Sequence, residues 1–223
     1  PPYSVDPGYG GPEYETLAAL GSNCGVSDLK AIAKGNERCG AYSLDTISTG
    51  STIAFAMECF EKGLLTKKDT DGLELKFGSA DAMLKAIDLL ATRKGVGALL
   101  AEGTARMSKK LGGGSAAFAM HVKGMEPGMH EPRIKPNMAL GFMISPIGAD
   151  HCGHPMDAAV SSEKGLAAYH SLGWHAPFGA NDMNPRKVGF FKVAECNAII
   201  TDSMTLCSFV GYGPEGQAEL LKA

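Results

Sequence analysis

Four short stretches of this chain carry residues able to do chemistry. In Asp202-Ser203-Met204-Thr205-Leu206-Cys207, a carboxylate and a thiol come after the apolar segment 193–200 and stand where a helix is expected to end. Gly40-Ala41-Tyr42-Ser43-Leu44-Asp45 echoes it, each segment ending in Leu and then an acid or a thiol. Gly11-Pro12-Glu13-Tyr14-Glu15-Thr16 holds two glutamates, and either serves as a general base if desolvation raises its pKa toward neutrality. Gly148-Ala149-Asp150-His151 pairs an acid with an imidazole that can donate a hydrogen bond to a reacting oxygen. Each also has an ordinary reading: Asp45 and Asp202 as turn caps, the glutamates as solvated surface, His151 as a structural histidine. With Cys152 and His154, His151 spells His-Cys-Gly-His, whose spacing and lack of a second ligand pair argue against zinc.

Taken in this chain order, Gly-Pro-Glu-Tyr-Glu-Thr at 11–16, Leu-Asp-Thr-Ile-Ser-Thr-Gly at 44–50, Gly-Ala-Asp-His at 148–151 and the segment 202–207 resemble the later part of the subunit of the aldehyde:ferredoxin oxidoreductase family of tungsten–pterin enzymes. That family binds its two pterins with paired Asp-x-x-Gly-Leu-(Asp/Cys) segments, one in each of two helical domains. The resemblance implies that Leu44 and Asp45 hold one pterin and that Asp202 and Leu206 hold the other. A carboxylate at such a turn can accept hydrogen bonds from ring N–H and amino groups. It further implies proton handling by Glu15 (with Glu13 as competitor), polarisation of oxygen by His151, and Cys207 as one ligand of a 4Fe–4S cluster. The implied reaction is oxidation of a small aldehyde, with water, to a carboxylic acid at a tungsten (or molybdenum) bis-pterin, the cluster passing electrons singly to ferredoxin.

The sequence departs from the family pattern in three places. The glycine of the two segments is Ser43 and Thr205, and the first aspartate is Gly40. The other three cluster cysteines, a tight group just upstream of Gly-Pro-Glu-Tyr-Glu in the family, do not occur here, and a cubane needs four ligands. Together with the irregular Pro/Gly-rich opening, this reads as a chain lacking the N-terminal part of its subunit. Two other readings stand beside the first. One is a relative running another low-potential reaction, such as reduction of an aromatic acyl-thioester. The other is a cofactor-free helical binding or assembly module.

The bulk properties argue against a nucleic-acid or membrane protein. The 223 residues are 44% hydrophobic and 20% charged, with a formal net charge of −3, so no basic footprint invites nucleic acid. No apolar run approaches bilayer length, and a cytoplasmic protein, monomeric or homo-oligomeric, is expected. The six cysteines are scattered without a Cys-x-x-Cys pair, the pattern of buried small apolar residues rather than a disulfide framework.

The positioning elements are expected to be mainly α-helical, in two helical domains at 1–122 and 123–223, each incomplete at its outer end, with few short strands. Ser27 or Asp28 caps a helix through Leu29 and Ile32 that stops at Gly35; Ser51 precedes an apolar helix over 53–60 closed by Gly63. Asp81 caps a helix bearing Met83, Leu84, Ile87 and Leu90 on one face, and another spans 98–111 before three glycines. Alternation at Leu73/Leu75/Phe77 and Phe118/Met120/Val122 suggests strands. The region 123–135 reads as a crossing loop, a helix begins near Pro155, and Asn184-Pro185 opens the helix leading to Asp202.

Overall fold

A computed structural model describes residues 3–222. Its α-helices run in the order α1 Tyr14–Thr16, α2 Leu29–Tyr42, α3 Thr46–Glu61, α4 Ala80–Thr92, α5 Gly97–Leu100, α6 Gly103–Leu111, α7 Pro136–Ile144, α8 Glu163–Leu166, α9 Pro185–Ser203 and α10 Pro214–Lys222. The fold is mainly α. Among the described residues there is no strand, and the one bridge pairs Val122 with Met125, so both alternating runs are extended loop or turn instead. Two short runs without a partner ladder have nothing to satisfy their backbone groups as strands. The chain divides into two compact units, Pro1–Met129 and His130–Ala223, the division lying inside the Gly/Pro/Met-rich stretch 123–135.

In the first unit α1 runs directly into a π-helical stretch, Leu17–Ser22, and this packs against α2 and α3. Asp28 caps α2 by accepting from the backbone of Lys30 and Ala31, as its position suggests. Gly35, however, does not stop the helix. A Cβ there would lie 2.9 Å from a Leu20 methyl and 3.4 Å from Ile87, so this glycine serves close helix packing and α2 continues to Tyr42. Helix α3 begins at Thr46, ahead of Ser51, because Asp45 supplies the cap. Likewise Ser79 rather than Asp81 caps α4; Asp81 accepts from the Tyr3 hydroxyl at 2.6 Å. The helix expected over 98–111 is broken in two, because Gly103 adopts φ +73° and the Thr104 amide turns to the Glu126 carboxylate at 2.6 Å. The core joins Leu20, Ile53, Met57, Leu75, Met83, Ile87, Leu100 and Met107, all essentially sealed from solvent. Each such side chain contributes roughly 1.5–3 kcal/mol of transfer free energy.

The second unit is held by an aromatic cluster and a buried ion pair. Phe190 on α9 meets Phe178 at 5.2 Å, Trp174 edge-on at 5.4 Å and Tyr169 edge-on at 5.0 Å between ring centres. Asn184 caps α9 through the Lys187 amide, with Pro185 at the first helical position, as the residue types indicate. Pro155 opens no helix; 157–160 is turn, and the regular structure begins at α8. Helix α7, which no capping side chain in the sequence announces, starts at Pro136 with its Asn137 amide on both oxygens of Asp157. Among the described residues no helix is long and apolar enough to cross a membrane.

Candidate functional site: two matching turns and the cavity of the first

The two echoing segments adopt the same backbone. In the first, Ser43 is left-handed (φ 55°, ψ 42°), the Ser43 amide donates to Gly40 O, and the Leu44 amide donates back to Cys39 O at 2.8 Å. In the second, Thr205 is left-handed (φ 55°), its amide donates to Asp202 O, and the Leu206 amide donates to Thr201 O at 3.1 Å. Both are Schellman turns, in which a left-handed residue ends the helix and an apolar residue succeeds it. The next residues match as well: Asp45 at φ −65°, ψ 127° and Cys207 at φ −71°, ψ 123°. The glycine position of the motif is thus the left-handed position of the turn, which explains why glycine is its natural occupant.

A β-branched residue is especially disfavoured there. Thr205→Gly is therefore expected to stabilise the protein by about 0.5–1 kcal/mol, the relief of left-handed strain exceeding the extra unfolded-state entropy of glycine. A thermal melt checks this, and a lowered midpoint would contradict it.

Beyond the turns the two segments have different duties. Asp45 spends one oxygen capping α3, accepting from the Ser48 amide at 2.6 Å. Leu44 packs half-buried against the core. Beside them opens a cavity of about 280 Å³ whose polar walls include Asp45, Ser48, Thr49, Arg106 and Glu126. Glu126 is a wall residue that sequence reasoning missed; its only signal is an acid in a Gly/Pro-rich loop. The place of Asp202 in the second turn is taken in the first by Gly40, and the Tyr9 ring lies over it, 2.9 Å from where a Cβ would stand. Asp202 itself is exposed at the end of α9, its carboxylate without a hydrogen bond among the described residues; Leu206 is half-buried and Cys207 exposed. The second turn is braced by α10: Gln217 donates to the Thr201 hydroxyl at 2.7 Å and to Asn197 O at 3.0 Å.

Glu15 sits on α1, half-buried, and its Oε2 accepts from the Met129 amide at 2.8 Å, while the neighbouring Tyr14 hydroxyl donates to Met129 O. Glu13 is exposed and makes no capping bond. In the second unit, Asp150 braces a turn, its two oxygens accepting from the amides of Cys152 and Gly153. His151 stacks on His130 with ring centres 5.0 Å apart, and its Nε2 lies 3.6 Å from the Cys152 sulfur. Asp150, His151 and Cys152 bring ligand atoms within 4.8 Å of one another. His154 turns away into the interior, stacked on Phe191 and 3.5 Å from Glu195, so His-Cys-Gly-His is not gathered as a set.

The cysteines split by burial. Burial pushes the Cys24 and Cys39 thiols up to about 12, the Asp45 charge adding to the second, and Cys59 up to about 11. All three are neutral thiols at neutral pH, and only the thiolate is a nucleophile. A maleimide added to native protein at neutral pH is expected to modify Cys152, Cys196 and Cys207, the exposed ones, and to spare the other three until denaturant is added. Peptide mapping checks this; early modification of Cys24 would contradict the packing.

Comparison with known proteins is specific. The family model for aldehyde ferredoxin oxidoreductase, domains 2 and 3, matches residues 1–223. The tungsten-containing aldehyde ferredoxin oxidoreductase of Thermococcus kodakarensis is 33% identical over 216 residues, covering 96% of this chain and 34% of that protein. Its Pyrococcus furiosus counterpart is 32% identical over 216 residues, with the same coverage. An aliphatic sulfonate oxidoreductase, WOR-like subunit, from the same Pyrococcus is 34% identical over 146 residues, 63% of this chain and 23% of that one. Among solved structures, the active site complex BamBC of benzoyl coenzyme A reductase shares the fold, with a TM-score of 0.62 at 21% identity over 88% of this chain and 33% of that one. The chain spans about a third of the length of the aldehyde ferredoxin oxidoreductases it matches. It belongs to the aldehyde ferredoxin oxidoreductase family, as that family's second and third domains.

Proposed function

We propose that this chain is the pterin-holding, proton-handling part of a tungsten-dependent oxidoreductase that converts an aldehyde and water to a carboxylic acid, two protons and two electrons, the electrons leaving one at a time for ferredoxin. The observation that carries the reading is the pair of matching turns, each presenting Leu and then an acid or thiol at the end of a long helix. The donor set fits a pterin. Such a ring offers N–H and amino donors, and the cavity beside Leu44 supplies carboxylate and hydroxyl acceptors with an apolar wall. Leu44 and Asp45 hold one pterin in this reading, and Asp202 and Leu206 the other. The bis-pterin tungsten, or molybdenum, supplies the two-electron redox chemistry when bound.

The protein's own residues then position and move protons. Glu15, held at one oxygen by the Met129 amide, accepts the proton that water gives up, and His151 donates a hydrogen bond to the substrate oxygen. The residues do not complete a 4Fe–4S cluster: Cys207 is one exposed thiol, and no set of four cysteines gathers among the described residues. Cys207 is accordingly read as a single ligand. The 34% identity to a sulfonate oxidoreductase subunit favours, as a second reading, a different low-potential reaction on the same frame.

Metal content of anaerobically purified protein tests the proposal. Stoichiometric tungsten or molybdenum with aldehyde-dependent dye reduction is expected. Metal-free protein without such activity would overturn the reading in favour of a cofactor-free binding module, and metal without aldehyde activity would favour the second reaction.

A further inference from the structure

The two turns are alike in backbone but unequal in carboxylates. The second carries Asp202 at the position where the first has Gly40 under the Tyr9 ring. The first turn therefore offers one acid of its own, Asp45, and that acid already spends an oxygen on α3. A second acid reaches the same cavity from elsewhere in the chain. Glu126 is 6% exposed, lines the cavity together with Asp45, and is fixed by the Thr104 amide at 2.6 Å on its Oε1. Gly103, left-handed at φ +73°, makes room for it: a Cβ there would stand 3.1 Å from that same oxygen. Its Oε2 accepts nothing among the described residues. A buried carboxylate with one oxygen committed and the other without a donor is built to receive one.

We propose that Glu126 is the specificity-determining acid of the first turn's cavity, accepting from the 2-amino and N3–H edge of a pterin and so replacing the carboxylate that Gly40 lacks. The assignment rests on the metallopterin reading but goes beyond it in naming this residue and the edge it reads. Dioxo rings of the lumazine type carry an oxygen in place of the 2-amino group, and a carboxylate facing that oxygen is repelled. The cavity should thus prefer a pterin to the matching lumazine.

The test is equilibrium binding of 6,7-dimethylpterin and 6,7-dimethyllumazine to the full chain, monitored by ring fluorescence. Wild-type protein is expected to favour the pterin about tenfold or more, the range of a charged hydrogen bond. Glu126→Gln keeps an amide oxygen for the Thr104 N–H, so the fold should persist while the preference largely disappears. Asp45→Asn should weaken both ligands together. If Asp45→Asn weakens pterin binding while Glu126→Gln leaves affinity and preference unchanged, the role of Glu126 is refuted and the metallopterin reading stands. Wild-type protein binding neither ring would refute the cavity assignment, with the metal analysis still deciding the wider reading. Should Glu126→Gln fail to fold, the Thr104 amide resonance in wild-type protein gives the answer. It should shift with pterin and not with lumazine, and equal responses to both would refute the proposal.

Discussion

Glu15→Gln in metal-loaded protein is expected to lose at least about two orders of magnitude in turnover with its metal content unchanged, the usual scale for removing a positioned general base. Glu15 accepts a hydrogen bond from the Met129 amide at 2.8 Å, and a glutamine oxygen accepts that bond equally. What glutamine cannot do is take up a proton at neutral pH. Glu13→Gln, at an exposed neighbour making no capping bond, should leave turnover within a factor of about two, as surface changes usually do. Unchanged turnover in the Glu15 variant, or a larger loss in the Glu13 variant, would reverse the assignment. Steady-state kinetics with tungsten analysis of the same samples decides it.

The largest stability effect is expected at Asp157. Its carboxylate and the Lys187 ammonium meet at 2.6 Å, with side-chain exposures of 4% and 3%. Lys187 also donates to Gly179 O and Ala180 O, and both Asp157 oxygens accept from the Asn137 amide at the start of α7. The pair therefore ties α9, the loop before it and α7 at one point. Asp157→Ala leaves a buried ammonium without its counter-charge and an uncapped helix start, and should cost roughly 3–5 kcal/mol. The double variant Asp157→Leu with Lys187→Met removes both charges and should recover most of that loss, because desolvating the pair is itself expensive. Denaturant titration of the single and double variants measures the coupling. Equal losses in both would show that Lys187 is satisfied by the two carbonyls alone.

Much of the helix content was legible because capping is local chemistry. Asp28 and Asn184-Pro185 announce their helices in the residue types themselves. The misreadings share a different cause. Gly35 looks like a stop, but its role is set by Leu20 and Ile87, residues distant in sequence. The break between α5 and α6 depends on Glu126, again a long-range partner, and Leu73, Leu75 and Phe77 alternate without a strand to pair with. At the site, the order of the four segments could be read, as could the kinship of 40–45 with 202–207. That Ser43 and Thr205 would be left-handed could not be read from their own preferences, since neither residue favours that conformation; only the turn they terminate requires it. Glu126 escaped because nothing in its neighbourhood along the chain points to Asp45.

The capping bond of Asp45 has a consequence for how the first turn responds to whatever occupies its cavity. In the proposed pterin reading one carboxylate serves two clients, the Ser48 amide and the ligand. A ligand that draws Asp45 away from Ser48 leaves the first turn of α3 with an orphan donor, and a loosened α3 start frees Asp45 to meet the ligand. The two events are thermodynamically linked, so each biases the other by the same factor. Helix α3 carries much of the first unit's core, including Ile53 and Met57. In that reading, occupancy of the cavity is coupled to the order of the segment that the unit is built around.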